Sequence, residues 1–209
     1  MIINEIFFSI QGEGQWVGKP NIFVRITGCN LRCKYCDTKY AYENGRNMSI
    51  SEIITEVRKY PCKNICITGG EPLLQNETKE LIHNLLENNY SLILETNGSM
   101  SINDYLGNKK IIISLDIKCP SSDMSDKMVY ENLSYLNPND QVKFVISNKK
   151  DYKYAKEIIN KYETKAMIFF QPEWSFDPKK ISSWILRDGL NVNLSLQLHK
   201  IIWGNSRGK

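Results

Sequence analysis

Short apolar segments alternate with amphipathic segments along almost the entire chain, and this alternation limits the fold more than any other feature. The periodicity predicts strands at the following ranges: Ile2–Ile10, Ile22–Thr27, Ile65–Thr68, Leu92–Thr96, Ile111–Leu115, Val142–Ser147, Ala166–Gln171 and Leu194–Leu198. It predicts four helices: one from the capping pair Ser49 and Glu52 to Tyr60, and others at Leu74–Asn89, Asp151–Tyr162 and Pro178–Arg187. Strands that alternate with helices pair in parallel through right-handed crossovers, in an open sheet or a barrel.

The length of the chain limits how much of a barrel it can form. A complete eight-stranded barrel needs roughly 250 residues, and this chain has 209. No repeat, low-complexity tract or Pro/Gly/Ser-rich linker divides the sequence. The predicted fold is therefore α/β, an incomplete TIM-type barrel of mainly parallel strands, in a single domain over residues 1–209.

Composition excludes several classes of protein. With 42% hydrophobic and 24% charged residues the chain is typical of globular proteins, not of collagen-like or disordered ones. The net charge of +4 is too small to indicate a basic surface that binds nucleic acid, so no nucleic-acid partner is expected. No apolar run approaches the ~20 residues of a membrane span, and the first residues lack the basic start of a signal peptide. We expect a cytoplasmic protein with no membrane partner.

Small, polar or ionisable residues follow most of the predicted strands. They are Gly28–Cys29, Gly69–Glu71, Glu95–Gly98, Asp116 with Lys118, Ser147, Gln171, and Gln197 with His199. In barrels and open α/β sheets the active site lies at the carboxyl ends of the parallel strands. A site at this edge is therefore expected.

Three of the six cysteines lie within eight residues, as Cys29, Cys33 and Cys36 in a C-x3-C-x2-C loop. Soft thiolates bind iron–sulfur clusters or zinc. Three of them hold three corners of an iron–sulfur cube and leave one iron open, or form part of a zinc site completed by His199 or Cys119. The other three cysteines, at positions 62, 66 and 119, are predicted to be packing residues, and a second cluster is not expected.

The cysteine loop, with Tyr35 before its last cysteine, and the later Gly69-Gly70-Glu71-Pro72 segment together resemble the signature of the radical S-adenosylmethionine (SAM) superfamily. The resemblance implies a radical SAM core with one 4Fe-4S cluster on the three loop cysteines. It also implies that SAM chelates the open iron and is cleaved to a 5′-deoxyadenosyl radical. The SAM-binding residues implied are Gly70, Glu71, Asp116, Lys118 and Gln171.

The segment Ser9-Ile10-Gln11-Gly12-Glu13-Gly14 resembles the opening motif of the 7-carboxy-7-deazaguanine synthase family, and Leu196-Gln197-Leu198-His199-Lys200 resembles a motif near its C-terminus. This family converts 6-carboxy-5,6,7,8-tetrahydropterin to 7-carboxy-7-deazaguanine with loss of ammonia, in 7-deazapurine and queuosine biosynthesis. The resemblance implies Mg²⁺ at Thr38, after Asp37. The substrate-binding residues implied are Ile10, Gln11, Gly12, Glu13, Arg25, Thr68, His199 and the carboxylate of Lys209.

His199 is the one candidate for a catalytic acid or base, and its role as a hydrogen-bonding anchor is an equal alternative. The resemblance also implies an electron donor such as flavodoxin or ferredoxin, and a homodimer. Two other functions remain open at this point. A glycyl-radical-enzyme activase shares the cysteine spacing but lacks the two motifs at the ends of the chain, and a non-catalytic zinc-binding module would use the same cysteines.

Overall fold

The protein is described by a computed structural model that covers residues 1–209. Nine strands form one sheet, with bounds β1 Ile2–Ile10, β2 Pro20–Ile26, β3 Arg46–Asn47, β4 Asn64–Gly69, β5 Ser91–Thr96, β6 Ile111–Ile117, β7 Gln141–Ile146, β8 Met167–Pro172 and β9 Asn193–Leu194. Their spatial order is β3-β1-β2-β4-β5-β6-β7-β8-β9. From β2 to β9 every neighbouring pair is parallel, whereas β1 is antiparallel to both β2 and β3.

Six α-helices accompany the sheet, with bounds α1 Ile50–Val57, α2 Thr78–Glu87, α3 Asn132–Tyr135, α4 Lys149–Lys161, α5 Pro178–Asp188 and α6 Leu198–Trp203. The capping box of α1 is present, because Ser49 Oγ accepts from the Glu52 amide and the Glu52 carboxylate accepts from the Ser49 amide. Asn148 caps α4, because its side-chain Oδ1 accepts from the amides of Lys150 and Asp151. These local hydrogen bonds fix where the crossover helices begin.

The parallel strands follow one another in chain order, and this order makes the sheet curl. Each right-handed crossover moves to the next strand in the same direction, so the crossover helices cover one face of the sheet and its other face turns inward. The sheet does not close, since β3 and β9 are free edges. The predicted incomplete barrel of mainly parallel strands is confirmed, and a single domain over residues 1–209 stays a prediction.

Some predicted bounds are wrong. The predicted helix from Leu74 starts four residues later, because Pro72–Leu74 forms a 3₁₀ turn before α2. The predicted strand Leu194–Leu198 is only the two-residue β9, and Leu198 begins α6 instead. An edge strand has a single neighbour, so little holds this segment extended beyond its two pairs with β8.

Two of the three cysteines outside the loop, Cys66 and Cys119, are completely buried, as predicted for packing residues, and the Cys66 sulfur also accepts a hydrogen bond from the Gln11 side chain. The third, Cys62, is half-buried, with its sulfur 3.3 Å from the Pro20 carbonyl oxygen. None of the helices combines the length and the apolar character that a membrane span requires.

Candidate active site

A cavity of about 510 Å³ lies inside the curl of the sheet. It is lined by every residue that the sequence predicts for the site except Glu71. These residues are Ile10, Gln11, Gly12, Glu13, Arg25, Cys29, Cys33, Cys36, Thr38, Thr68, Gly70, Asp116, Lys118, Gln171, His199 and Lys209. The fold therefore brings together motifs from both ends of the chain.

The cysteine loop follows β2 and lines the cavity with three free thiols at the carboxyl ends of the parallel strands. The Cys29 sulfur accepts from the Leu31 amide at 3.4 Å and faces the Asn97 side-chain amide at 3.7 Å. Burial raises the pKa values of Cys29 and Cys33, although the positive charge of Lys118 opposes this. A positively charged metal centre bound to these thiols would lower their pKa values and so reverse the effect of burial.

The Gly69-Gly70-Glu71 segment ends β4 directly beside the cysteine loop. The Gly70 amide donates to the Ile26 carbonyl at 3.0 Å, and the Glu71 amide donates to the Gly28 carbonyl at 2.7 Å. The family resemblance implies that Glu71 binds SAM, but its side chain is completely buried. Its carboxylate accepts from the Asn97 and Leu73 amides and the Thr96 hydroxyl. It therefore ties the end of β4 to the end of β5, while Gly69 and Gly70 face the cavity.

The segment Gln11–Gly14 enters the cavity from the opposite end of the barrel. Because β1 is antiparallel to β2, Ile10 pairs with Pro20 at the amino edge of the parallel strands. Gln11 donates to the Cys66 sulfur within β4 and to the Glu95 carboxylate at 3.3 Å. The expected site at the carboxyl edge therefore accounts for one end of the cavity, and the Gln11–Gly14 segment lines the opposite end, which we call the floor.

Glu13 is the centre of a buried polar network on that floor. Its Oε1 accepts from the side-chain amides of Gln171 and Gln197, each at 2.9 Å, and its Oε2 accepts from Lys143 Nζ at 2.7 Å. Gln171, predicted to contact SAM, is thus tied to a residue predicted to contact substrate. Asp116 joins the network, since its Oδ2 lies 3.7 Å from Lys143 Nζ and 2.8 Å from Lys118 Nζ.

Arg25 lies on β2 with its guanidinium at the cavity wall. Its Nε donates to Glu5 Oε1 at 2.8 Å, and the same carboxylate accepts from the Tyr40 hydroxyl at 3.0 Å and from Arg207 Nε at 3.0 Å. Arg207 also stacks on the Tyr40 ring at 4.1 Å. These contacts fasten the segment around Arg207 to β1 and bring Lys209 to the cavity.

Thr38 and Asp37 follow the last loop cysteine. The Thr38 hydroxyl donates to Asp37 Oδ1 at 2.9 Å, and Lys200 Nζ donates to Asp37 Oδ2 at 2.6 Å. Burial opposes ionisation of Asp37, but the hydrogen bond and charge of Lys200 outweigh it and lower its pKa to about 2. Oxygen ligands suited to a hard cation are therefore present beside the cavity.

Comparisons with known proteins decide the family. The model of the Radical SAM superfamily matches residues 23–168. The chain is 37% identical over its whole length to all of the 7-carboxy-7-deazaguanine synthase of Thermoplasma acidophilum. It is 42% identical over 97% of its length to the protein of that name from Methanospirillum hungatei, covering 85% of it. The chain belongs to the 7-carboxy-7-deazaguanine synthase family.

A solved structure shares the fold of this synthase-family chain. The crystal structure of QueE from Escherichia coli superposes with a TM-score of 0.78 at 23% identity, covering 95% of this chain and 94% of the other. At that identity the likeness concerns the fold, and it fits the incomplete barrel described above.

Membership of the radical SAM superfamily implies a 4Fe-4S cluster and SAM, and the residues present fit both groups. No three His, Cys, Asp or Glu side chains converge closely enough to hold one metal ion. A single zinc ion needs its sulfur ligands within ~2.3 Å, whereas a cube binds each cysteine to a different iron. Two polar atoms of cavity residues, Asp116 Oδ1 and the Tyr35 hydroxyl, are buried and have no hydrogen-bond partner in the protein. A bound polar ligand would supply the missing partner.

Sequence reasoning missed several cavity residues of this synthase-family site. Lys143 was not singled out at all, while Glu95 and Gln197 were noted as strand-end residues, and Gln197 also within the Leu196–Lys200 motif, but neither was assigned a role. Lys143 lies within β7 between the buried Val142 and Phe144. A lone ionisable residue inside an apolar strand is the signal that would have found it, since such a group needs a partner in the interior.

The charge of Glu13 makes stability depend on pH. Burial raises its pKa, but the charges of Lys143 and His199 and the hydrogen bonds from Lys143 and Gln197 outweigh burial and lower the pKa from 4.5 to about 2. The stabilisation is therefore complete above pH 4.5 and is lost as the pH falls towards 2, by about 3 kcal/mol. Urea unfolding of the cluster-free protein between pH 6 and pH 2 should show this loss, and Glu13→Gln should lack it. Parallel curves for both proteins would contradict the prediction.

Proposed function

We propose that the protein converts 6-carboxy-5,6,7,8-tetrahydropterin to 7-carboxy-7-deazaguanine with release of ammonia. The observation that carries the proposal is one cavity that joins the cysteine loop to Gln11, Glu13, Arg25 and His199. The full-length similarity to synthases of that name supports it.

We propose that Cys29, Cys33 and Cys36 hold the cluster and that SAM lies against the cluster and the end of β4. When bound, the cluster and SAM supply the radical that takes the hydrogen from C6 of the substrate. Gly70 gives SAM close access because it has no side chain, and Lys118 and Asp116 offer a cation and an unpartnered acceptor oxygen. Glu71 acts indirectly, by holding the Gly69–Gly70 backbone in place.

The substrate half of the proposal rests on complementary groups at the floor. Arg25 uses only its Nε on Glu5, so its two Nη groups are free to bind a carboxylate. Gln11 and Glu13 present amide and carboxylate oxygens to the N–H groups of an amino-pyrimidinone ring, and Thr68 and His199 flank them. The cavity wall holds the substrate against the SAM side of the site, so that the reacting carbon is positioned for the radical.

The test is anaerobic incubation of the reconstituted protein with SAM, dithionite, Mg²⁺ and carboxytetrahydropterin, followed by mass spectrometry. We expect stoichiometric 7-carboxy-7-deazaguanine and ammonia, with SAM largely unconsumed. Formation of 5′-deoxyadenosine without deazaguanine would refute the substrate and retain the superfamily chemistry. A colourless protein that carries stoichiometric zinc would refute both and favour the zinc-binding module.

We also propose that Thr38 would hold a Mg²⁺ ion, which would supply positive charge for binding the oxygens of the substrate. The support is a threonine hydroxyl and an ionised Asp37 at the cavity, with room for water and substrate as the remaining ligands. Thr38→Ala should raise the Mg²⁺ concentration for half-maximal rate by about tenfold or more. Thr55→Ala, on the exposed face of α1, is the matched control, and an unchanged Mg²⁺ dependence in Thr38→Ala would remove this residue from the metal site.

Three further parts of the proposal are the electron donor, the oligomeric state and the location in the cell. Reduction of the cluster requires a one-electron donor of the flavodoxin or ferredoxin type. We propose a homodimer by analogy with the family, and a cytoplasmic location because all six cysteines are free thiols. A glycyl-radical-enzyme activase is not favoured, because both family motifs at the chain ends lie in the same cavity.

A further inference from the structure

Lys143 is the buried charge of the cavity for which the proposed function has no role. It lies on β7 with 13% of its side chain exposed, at 2.7 Å from a Glu13 carboxylate that is 14% exposed. Charges this poorly hydrated are costly unless they are paired. The pair joins residues 130 positions apart, so it fixes the floor segment to the middle of the sheet.

The hydrogen bonds around Glu13 leave a defined vacancy for a ligand. An ionised carboxylate has about four acceptor sites, and three are used by Lys143, Gln171 and Gln197. Because the carboxylate only accepts, the Gln171 side chain must turn its Nε2 towards it, and Gln171 Oε1 is left buried without a partner. The two remaining acceptors, one on Glu13 and one on Gln171, lie on adjacent groups in the cavity wall.

We propose that Lys143 is a positioning residue that fixes the Glu13 carboxylate beside Gln171, so that the site selects a ligand with two neighbouring N–H donors. The amino-pyrimidinone edge of a pterin is such a ligand. This inference rests on the proposed function for its substrate, but it concerns recognition and not the radical step. Lys143 acts through Glu13, and Glu13 contacts the ligand.

The neighbouring charges explain why the lysine is needed in addition to the two amides. Gln171 and Gln197 are neutral donors on one oxygen, and neither restrains the other oxygen. Lys143 restrains Oε2, and it is itself held by Asp116 Oδ2 at 3.7 Å. Without the lysine, the carboxylate would be free to rotate or to take up a proton, and a protonated carboxyl would present a donor where the ligand also presents one.

The test measures binding by titration calorimetry of the SAM-loaded holoenzyme with 6-carboxypterin, the oxidised and unreactive form of the substrate. Lys143→Met should weaken binding by about 10- to 100-fold. Wild type should prefer 6-carboxypterin over an analogue with hydrogen in place of the exocyclic amino group, and the variant should lose most of this preference. Lys143→Arg, which retains the charge, should recover much of both, and the exposed Lys150→Met should behave as wild type.

A second variant separates recognition from folding. Glu13→Gln with Lys143→Met removes both charges, so it should unfold near the wild-type temperature and still bind 6-carboxypterin weakly. Wild-type affinity and preference in Lys143→Met or in the double variant would overturn the inference. Wild type that binds 6-carboxypterin but makes no deazaguanine would overturn the proposed function alone, and wild type that binds no pterin would overturn both.

Discussion

Replacing Cys33 by alanine is expected to abolish product formation and to remove most of the bound iron. Three irons of the proposed cluster have one cysteine ligand each, and no cysteine outside the loop can replace Cys33, because Cys66 and Cys119 are buried and do not line the cavity. Iron analysis and the visible absorbance of anaerobically reconstituted protein measure the first effect. Mass spectrometry of the reaction measures the second.

Cys62→Ala is the matched control for this prediction. The Cys62 thiol is half-buried and does not line the cavity, so iron content and activity should equal those of wild type. If Cys33→Ala kept its iron and its activity, the assignment of the loop would be wrong. If Cys62→Ala lost iron, a role for the thiols outside the loop would have to be considered.

Gly70→Ala is expected to cause the next largest loss, because the backbone of Gly70 leaves no space for a methyl group. A Cβ there would overlap the Gly28 carbonyl group and would lie 2.9 Å from the Cys29 Cβ. These atoms belong to the segment that begins the cysteine loop, so relief of the clash displaces the loop. Overpacking of this kind costs about 1–3 kcal/mol, and this cost, transmitted in full to the SAM site, weakens SAM binding by roughly 5- to 150-fold. Equilibrium dialysis of labelled SAM with the reconstituted protein measures the change.

The control for Gly70→Ala is Gly18→Ala. Gly18 has φ +84° and no heavy atom within 4 Å of the position of a Cβ, so the variant introduces backbone strain without a clash. Its SAM affinity should be unchanged even if its stability falls by about 1 kcal/mol. Equal SAM binding by Gly70→Ala and wild type would show that the close approach of β4 and the loop is not required for the cofactor.

Much of the fold and part of the site could be predicted from the sequence, because the relevant signals are local. The alternation of strand and helix periods predicts eight of the nine strands, with wrong bounds for β9 and no signal for the two-residue β3, and the crossover rule predicts that the strands separated by helices pair in parallel. The cysteine spacing and the Gly69–Pro72 segment are likewise short motifs, and both line or adjoin the cavity.

The remaining features depend on tertiary contacts that no local pattern encodes. The sequence shows that Glu71 follows a strand, but only packing shows that its carboxylate turns inward to Thr96 and Asn97. The entry of Gln11 and Glu13 from the amino edge depends on β1 being antiparallel. Lys143 becomes meaningful only when its partner, 130 residues away, is known.

The floor of the cavity also has a consequence for the order of folding. The Glu13 carboxylate binds side chains 130, 158 and 184 positions away along the chain, while most neighbouring strands are joined by short crossovers. Contacts between distant residues carry the largest loop-closure cost and form late. During synthesis, the strands up to β6 can therefore pair while Glu13 still lacks its partners on β7 and β8, and the polar floor is completed only after the segment around Gln197 has emerged. The slow phases of refolding are expected to reflect the formation of the Glu13 hydrogen bonds more than the pairing of the strands.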